Sequence, residues 1–306
     1  MMYVMLVIGF FLLVKGADFF VEGSSSVARM LKIPSVVIGL TIVAMGTSAP
    51  EAAVSITAGL SGNNDIALSN VIGSNIFNLL MVIGMCAIIR KVDTDVDILK
   101  RDLPINIGST LLLIVMVVDL KISRVEGILL LLAIVTYIIF VVRKAMQDRT
   151  PNKEEIKMQS PLRSILYIIG GIAAIVYGGD LVVDNACAIA TAFGLSQTLI
   201  GLTIVAMGTS LPELVTSIVA TKKGETGLAL GNAVGSCIFN ILFILGISST
   251  LSPIHASIEG LIDIIILLGV TMLTYILART NGKTVRSEGI VCVLIYMIYM
   301  GYAIMR

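Results

Sequence analysis

The sequence predicts an all-α polytopic membrane protein with ten transmembrane helices arranged as two inverted five-helix repeats. Three observations carry that prediction. The chain is too apolar for water, its loop charges fall almost entirely on one side, and its second half repeats its first at a fixed spacing.

Of the 306 residues, 57% are hydrophobic and only 13% are charged, giving a mean hydropathy of +1.01. A soluble domain carries about 25% charged residues, so most of this surface must face lipid. A helical span needs about 20 apolar residues. Ten spans with short connections consume the chain and leave no room for a soluble domain. The net charge of +1 points to no partner; neither a nucleic acid nor a protein partner is expected, only the lipid bilayer and small ions. Cys86, Cys187, Cys237 and Cys292 are scattered through apolar stretches without metal-ligand or paired extracellular spacing, and read as small buried residues. Met1 to Val14 has no basic flank or convincing cleavage site, so it reads as a retained first span rather than a signal peptide.

Helical segments are expected at 2–31, 34–61, 65–89, 103–118, 125–144, 161–192, 196–221, 225–251, 258–278 and 286–305. Turn-like breaks separate them at Lys32-Ile33-Pro34, Ser61 to Asn64, Lys91 to Asp102, Asp119 to Ser123 and Asn281-Gly282. The one polar linker is 145–160. The halves are therefore expected at 1–144 and 161–306, with 145–160 as a cytoplasmic linker.

Sorting the loops alternately tests the span count. One side collects Arg29, Lys32, Arg90, Lys91, Lys100, Arg101, Arg143, Lys144, Arg149, Lys153, Lys157, Arg163, Lys222, Lys223, Arg279, Lys283 and Arg286. The other has Lys121, Arg124 and Arg306, while Lys15 lies within the first span. This split of 17 to 3 is a strong positive-inside signal. It places both termini outside and the central linker in the cytoplasm of a cell (plasma) membrane protein.

Comparing the chain with itself gives the most specific signal. The eleven residues Ile38 to Ser48 recur unchanged at Ile200 to Ser210, an offset of 162. The same offset pairs Gly16 with Gly178, Asp18 with Asp180, Glu51 with Glu213, Asn70 with Asn232, Ser74 with Ser236, Asn78 with Asn240 and Glu126 with Glu288. Each half holds five spans, an odd number, so the second copy enters the membrane from the opposite side. Inverted repeats are the architecture of many secondary transporters, whose sites lie at the repeat interface near the midplane.

Two segments per half break the apolar rule. Gly46-Thr47-Ser48-Ala49-Pro50-Glu51 is matched by Gly208-Thr209-Ser210-Leu211-Pro212-Glu213, and Gly73-Ser74-Asn75-Ile76-Phe77-Asn78 by Gly235-Ser236-Cys237-Ile238-Phe239-Asn240. A carboxylate at bilayer depth costs about 3 kcal/mol on insertion scales. No Lys or Arg lies near Glu51 or Glu213 in either motif, so a bound cation is the natural compensation. Thr47 and Glu51 are four residues apart and are expected to share a helix face, as are Asn70, Ser74 and Asn78. Pro50 and Pro212 each free a carbonyl one turn back, and Gly46 and Gly208 permit unwinding there. The expected product is an all-oxygen cage built from four broken helices, suited to Ca²⁺ or Na⁺ rather than to zinc or copper. Helix packing is the competing reading for the glycines, Thr41 and Thr203, and interhelical hydrogen bonding for Asn78 and Asn240. Asp18, Glu22, Asp180 and Asp184 have two readings, an ion path or interfacial charges with Lys15 as partner to Asp18. His255 lies in a loop and reads as incidental, and Asp263 has Arg101 at its repeat position and is unassigned.

At these motifs the chain resembles the cation/calcium antiporter superfamily and, within it, the prokaryotic sodium/calcium exchangers. The resemblance covers the whole chain: GTSAPE with SNVIGSNIFN, and GTSLPE with GNAVGSCIFN. It implies an exchanger-like fold and a coordination set centred on Glu51 and Glu213. Thr47, Ser48, Ser74, Thr209, Ser210, Ser236, Asn78 and Asn240 would join them, with the carbonyls of Ala44 and Ala206. It also implies a secondary antiporter exchanging Na⁺ for Ca²⁺ by alternating access, with bound ions as cargo and no cofactor. Asn240 stands where potassium-moving members tend to be acidic, which weakens that variant. Proton/calcium members usually carry Asn-containing segments in place of the Thr-Ser pair, so the H⁺/Ca²⁺ reading stands second. A cation channel with a carboxylate ring stands third. An intramembrane aspartyl protease built on Asp18 and Asp180 lacks motif context, so no enzyme is expected.

Overall fold

A computed structural model of the chain describes residues 1–61, 64–147, 160–194, 204, 206–280 and 282–305. Most of the 145–160 linker, 195–203 with Val205 (the start of the segment expected at 196–221 and of the second repeat copy), the turn at 62–63, Asn281 and Arg306 lie outside the described residues, as do the side chains of Asn64, Asp65 and Ala206.

Backbone groups in lipid must be satisfied within the segment, and the chain is almost all helix. Helix α1 is Met2–Leu31. Helix α2 spans Ser35–Thr47 and α3 Ala49–Leu60, bent by 48° at their junction. Helix α4 runs from Asn64–Phe77 through a π turn at Asn78–Val82 to Ile83–Ile89. Helix α5 joins the π turn Ile98–Asp102 to Leu103–Met116. Helices α6 and α7 are Arg124–Gln147 and Pro161–Ala192. After the short turn Ala206–Gly208 comes α8, Leu211–Lys222. Helix α9 runs from Thr226–Phe239 through the π turn Asn240–Ile244 to Leu245–Leu251. Helices α10 and α11 are Ile258–Thr280 and Arg286–Met305.

Seven of the described helices are long and apolar enough to cross a membrane, and the bent α2–α3 pair makes an eighth span. The two central helices differ from the rest: the apolar stretch of α9 is 94% buried and that of α4 72%, against 17–39% for the other five. They form the core. Helices such as α6 and α11 turn Leu132, Val135, Phe140, Leu294 and Ile298 outward, the faces that meet lipid.

The repeat is visible in three dimensions. Two short antiparallel ladders, unexpected from the sequence, replace connections read as plain turns. Val92 and Asp93 pair with Thr284 and Lys283, while Ile254 and His255 pair with Ile122 and Lys121. Adding 162 to the first-half residue of one ladder gives the second-half residue of the other, so each ladder joins the two halves and each is the other's image. His255 thus belongs to a ladder. Helices α1 and α7 pack antiparallel through small residues. A Cβ at Gly9 would lie 3.0 Å from the Gly178 carbonyl, and one at Gly16 would lie 2.9 Å from the Gly171 carbonyl. Those four glycines form two repeat-related pairs.

Helix α1 ends on Lys32 in the left-handed region (φ 56°), with the Ile33 amide reaching the Ala28 carbonyl at 3.0 Å and Pro34 beyond. The corresponding stop in the second half is Gly194 (φ 82°), and Leu120 (φ 58°) likewise corresponds to Gly282 (φ 61°). The backbone repeats even where the residue best suited to it does not.

Candidate functional site

The site follows from where α2–α3 breaks. Ser48, at φ −82° and ψ 10°, ends one helix and starts the next, and Pro50 occupies the first turn of α3, where its missing N–H costs nothing. The break therefore falls two residues beyond the unwinding expected at Gly46, which stays helical. Its α-carbon packs against Ile172 and Phe20, so packing is the reading the structure gives it; Gly208 packs on Val183 in the same way. The break also separates Thr47 from Glu51, so they do not share one helix face. The same turn recurs at Ser210 (φ −91°, ψ 4°) ahead of Pro212. Nor are there four broken helices: α4 and α9 run on, widened into π turns that begin at Asn78 and Asn240. A single π turn changes helix register without losing backbone bonds, and such bulges recur at functional sites.

Glu51 and Glu213 are both 0% exposed. Each is held by the other half: Ser48 Oγ donates to Glu213 Oε1 at 2.8 Å, and Ser210 Oγ donates to Glu51 Oε1 at 2.9 Å. Ser236 Oγ adds a longer bond to Glu213 Oε1 at 3.4 Å. The second oxygen of each carboxylate, Oε2, is buried and has no hydrogen-bond partner. Among the described residues no Lys, Arg or His forms an ion pair with either.

The other expected ligands lie on α2, α4 and α9 or in the turn before α8. Ser74, Asn78 and Asn240 are buried on α4 and α9, and Ser74 Oγ, both terminal atoms of Asn78, Asn240 Oδ1 and Thr209 Oγ1 are without partners. Thr47 Oγ1 donates to Asn232 Oδ1 at 3.0 Å. The Ala44 carbonyl accepts the Ser48 amide at 3.0 Å; the Ala206 carbonyl begins the turn before Ser210. Among the described residues no three of His, Cys, Asp and Glu cluster. A cation placed between these two carboxylates would draw its remaining ligands from hydroxyl, amide and carbonyl oxygens, the donor set of hard ions.

Two supports were only partly read from the sequence. Asn70 Nδ2 donates to the Glu51 carbonyl at 3.3 Å and to Ser55 Oγ at 3.0 Å, and Asn232 Nδ2 repeats this on the Glu213 carbonyl at 3.4 Å and Ser217 Oγ at 3.0 Å. These asparagines fix the turn that carries each glutamate. Asn75, which sequence reasoning passed over, sits on the repeat axis: its Nδ2 donates to the carbonyl of Cys237, its own counterpart, at 3.1 Å.

Asp180 and Asp184 line a cavity of about 540 Å³ together with Pro50, Val54, Thr209 and Pro212. Asp18 instead pairs with Lys15 at 3.6 Å, as expected, and with Lys223 at 3.3 Å. Cys86, Cys237 and Cys292 are buried free thiols and Cys187 is half-buried. Thr41 donates back to the Val37 carbonyl at 2.7 Å, a packing role, and Asp263 is buried in α10.

A fold of inverted repeats with a buried carboxylate pair at the junction defines a secondary transporter of cations, and comparison with known proteins agrees. The profile of the family described as sodium/calcium exchanger protein matches residues 1–143 and 163–305. The chain is 39% identical over 308 residues to the putative antiporter CaxA of Alkalimonas amylolytica, covering 98% of this chain and 96% of that one. It is 31% identical over 339 residues to the sodium/calcium exchanger MaX1 of Methanosarcina acetivorans, covering 97% of each. A solved structure of the sodium-calcium exchanger NCX_Mj superposes with a TM-score of 0.88 at 32% identity, covering 98% of this chain and 97% of that one. The chain belongs to the sodium/calcium exchanger family and is a multi-pass membrane antiporter with the inverted-repeat fold. Its relatives are transporters rather than enzymes, and the ions they carry are cargo rather than cofactors.

Proposed function

We propose that this protein exchanges Na⁺ for Ca²⁺ across the cell membrane by alternating access, using one shared site. Glu51 and Glu213 are its centre. Thr47, Ser48, Ser74, Asn78, Thr209, Ser210, Ser236 and Asn240 complete it with the carbonyls of Ala44 and Ala206. The observation that carries the proposal is the pair of fully buried carboxylates, each with one oxygen held by a serine of the other half and one oxygen free. Two ionised groups in a low-dielectric site without a counter-ion are costly. One Ca²⁺ neutralises both, and so do Na⁺ ions binding in its place. The empty, doubly charged site resists the change between outward- and inward-facing states, and either ion load relieves it. Exchange is then obligatory without a dedicated gate. The long, glycine-packed α1–α7 pair is the element that slides across the α4–α9 core.

In this reading 1–144 and 161–306 are the two repeats and 145–160 the cytoplasmic linker, with both termini outside, as the 17-to-3 division of basic residues supports. Purified protein in sealed vesicles tests the coupling ion. Calcium uptake driven by an outward sodium gradient, and lost in Glu51→Gln and Glu213→Gln, supports the proposal. Uptake that ignores sodium and follows only a pH gradient assigns the same carboxylates to H⁺/Ca²⁺ exchange and overturns it. Flux far above transporter rates would point to a channel.

A further inference from the structure

We propose that Asn75 is a positioning residue that locks the amide of Asn240 with its carbonyl oxygen turned toward the cation site. The inference rests on the site proposed above and concerns how one of its ligands is oriented.

An asparagine amide has one accepting end and one donating end, and its partners decide which is which. The chain of constraint begins at a backbone carbonyl, which can only accept. Cys237 O faces Asn75 at 3.1 Å, so that end of Asn75 must be its Nδ2. The other end is then Oδ1, an acceptor. It faces Asn240 at 3.0 Å, so Asn240 must present its own Nδ2 there. Asn240 Oδ1 is thereby turned away from Asn75. It is buried and unpartnered, one helical turn beyond Ser236, whose hydroxyl reaches Glu213. All three residues involved are 0% exposed, so no solvent competes for these positions.

The first half lacks this device. The residue equivalent to Asn75 is Cys237, whose thiol makes only a long contact to the Asn75 carbonyl at 3.7 Å. Asn78, equivalent to Asn240, has neither Nδ2 nor Oδ1 bonded. Its amide is free to turn, whereas that of Asn240 is fixed. Within the repeated GS-IFN segments this is the single mismatch, and it gives the two halves unequal ligands: a preset oxygen from α9 and an adaptable amide from α4.

Asn75→Cys tests this with the residue the other half already carries. Initial rates of ⁴⁵Ca²⁺ uptake in proteoliposomes give the apparent KM and maximal rate. Losing one hydrogen bond that presets the ligand should raise the calcium KM roughly three- to tenfold, with the maximal rate within about twofold. The same substitution is then made together with Asn240→Asp. A carboxylate accepts at both ends, so its orientation needs no lock, and Asn75→Cys should no longer raise KM in that background. An equal rise in both backgrounds, or no rise with Asn240 intact, overturns the lock. Asn240→Ala separates this from failure of the site itself. If it weakens calcium uptake while Asn75→Cys does not, only the lock is refuted. If Asn240→Ala and Glu51→Gln both keep the original KM, the site is refuted with it.

Discussion

Replacing Glu51 or Glu213 by Gln should weaken calcium binding more than a hundredfold while leaving the fold in place. In the proposed site each glutamate would lend the cation one oxygen, Oε2, which is buried without a partner, while Oε1 is held by Ser210 or Ser48. A carboxylate oxygen at the usual calcium contact of about 2.4 Å and an effective dielectric of about 20 contributes roughly 7 kcal/mol per unit charge pair. The glutamine carbonyl and the relief of repulsion between the two glutamates recover part of this. A net loss of about 3 kcal/mol or more remains, over a hundredfold in affinity. The assay is calcium-dependent thermal stabilisation of the purified protein. At a hundred times its Kd, calcium stabilises the native state by about 2.7 kcal/mol, which for a chain of this size is a midpoint rise of several degrees. Both variants should show only a small remnant of it, about 0.4 kcal/mol or less, at the same calcium concentration. A variant that keeps the full calcium-dependent rise would refute the reasoning.

Two further outcomes follow from the backbone and the packing. Lys32 is exposed and holds a left-handed conformation that the second half gives to Gly194; Lys32→Gly should raise stability in thermal or detergent denaturation by about 1 kcal/mol, and a loss of stability would contradict the strain. At Gly16 an added methyl would meet the Gly171 carbonyl and the Ala174 side chain, each at 2.9 Å, with backbone on one side to block relaxation. Gly16→Ala should force α1 and α7 apart, lowering the maximal exchange rate severalfold while calcium affinity changes little; an unchanged rate would remove this contact from the transport cycle.

The all-helical membrane fold and its inverted arrangement were legible because hydropathy, loop charge and the offset of 162 are independent and agree. Helix ends such as Leu31, Ile89, Ala192 and Leu251 fall where the sequence put them. Glu51 and Glu213 stood out in the sequence, since an ionised residue in an apolar run demands an explanation, and the structure buries both. Local geometry was less so. Proline marks a break but not which residue turns, and the turn passed to Ser48 because Pro50 fits the first turn of the next helix. The π turns at Asn78 and Asn240 have no compositional mark. The ladders at Val92 and Ile254 are two residues long, too short to show alternation. Asn75 carries no signal in the repeat itself, because it stands at the one place where those segments differ.

Mismatches between the halves also bear on which way the molecule faces. With perfect inverted symmetry, its two access states would have equal energy. Asp180 and Asp184 line a cavity together with Pro50 and Pro212, the residues that precede Glu51 and Glu213. On the opposite face Asp18 binds Lys223 at 3.3 Å, and Arg29 binds Glu225 at 3.2 Å. The residues equivalent to Lys223, Arg29 and Glu225 are Ser61, Thr191 and Asn63, none of them charged. The two ties therefore join α1 to the connection between α8 and α9, and their repeat positions carry no charged equivalents. The paired side chains keep about a quarter to a third of their exposure, so each tie contributes at most about 1 kcal/mol. Losing both shifts the balance of states by up to about 30-fold. Lys223→Ser with Glu225→Asn copies the other half and tests this. In vesicles of defined orientation, the calcium KM should fall on the face carrying Lys223 and rise on the face where Asp180 opens. Two faces that move together, or not at all, would mean that these ion pairs do not set the balance.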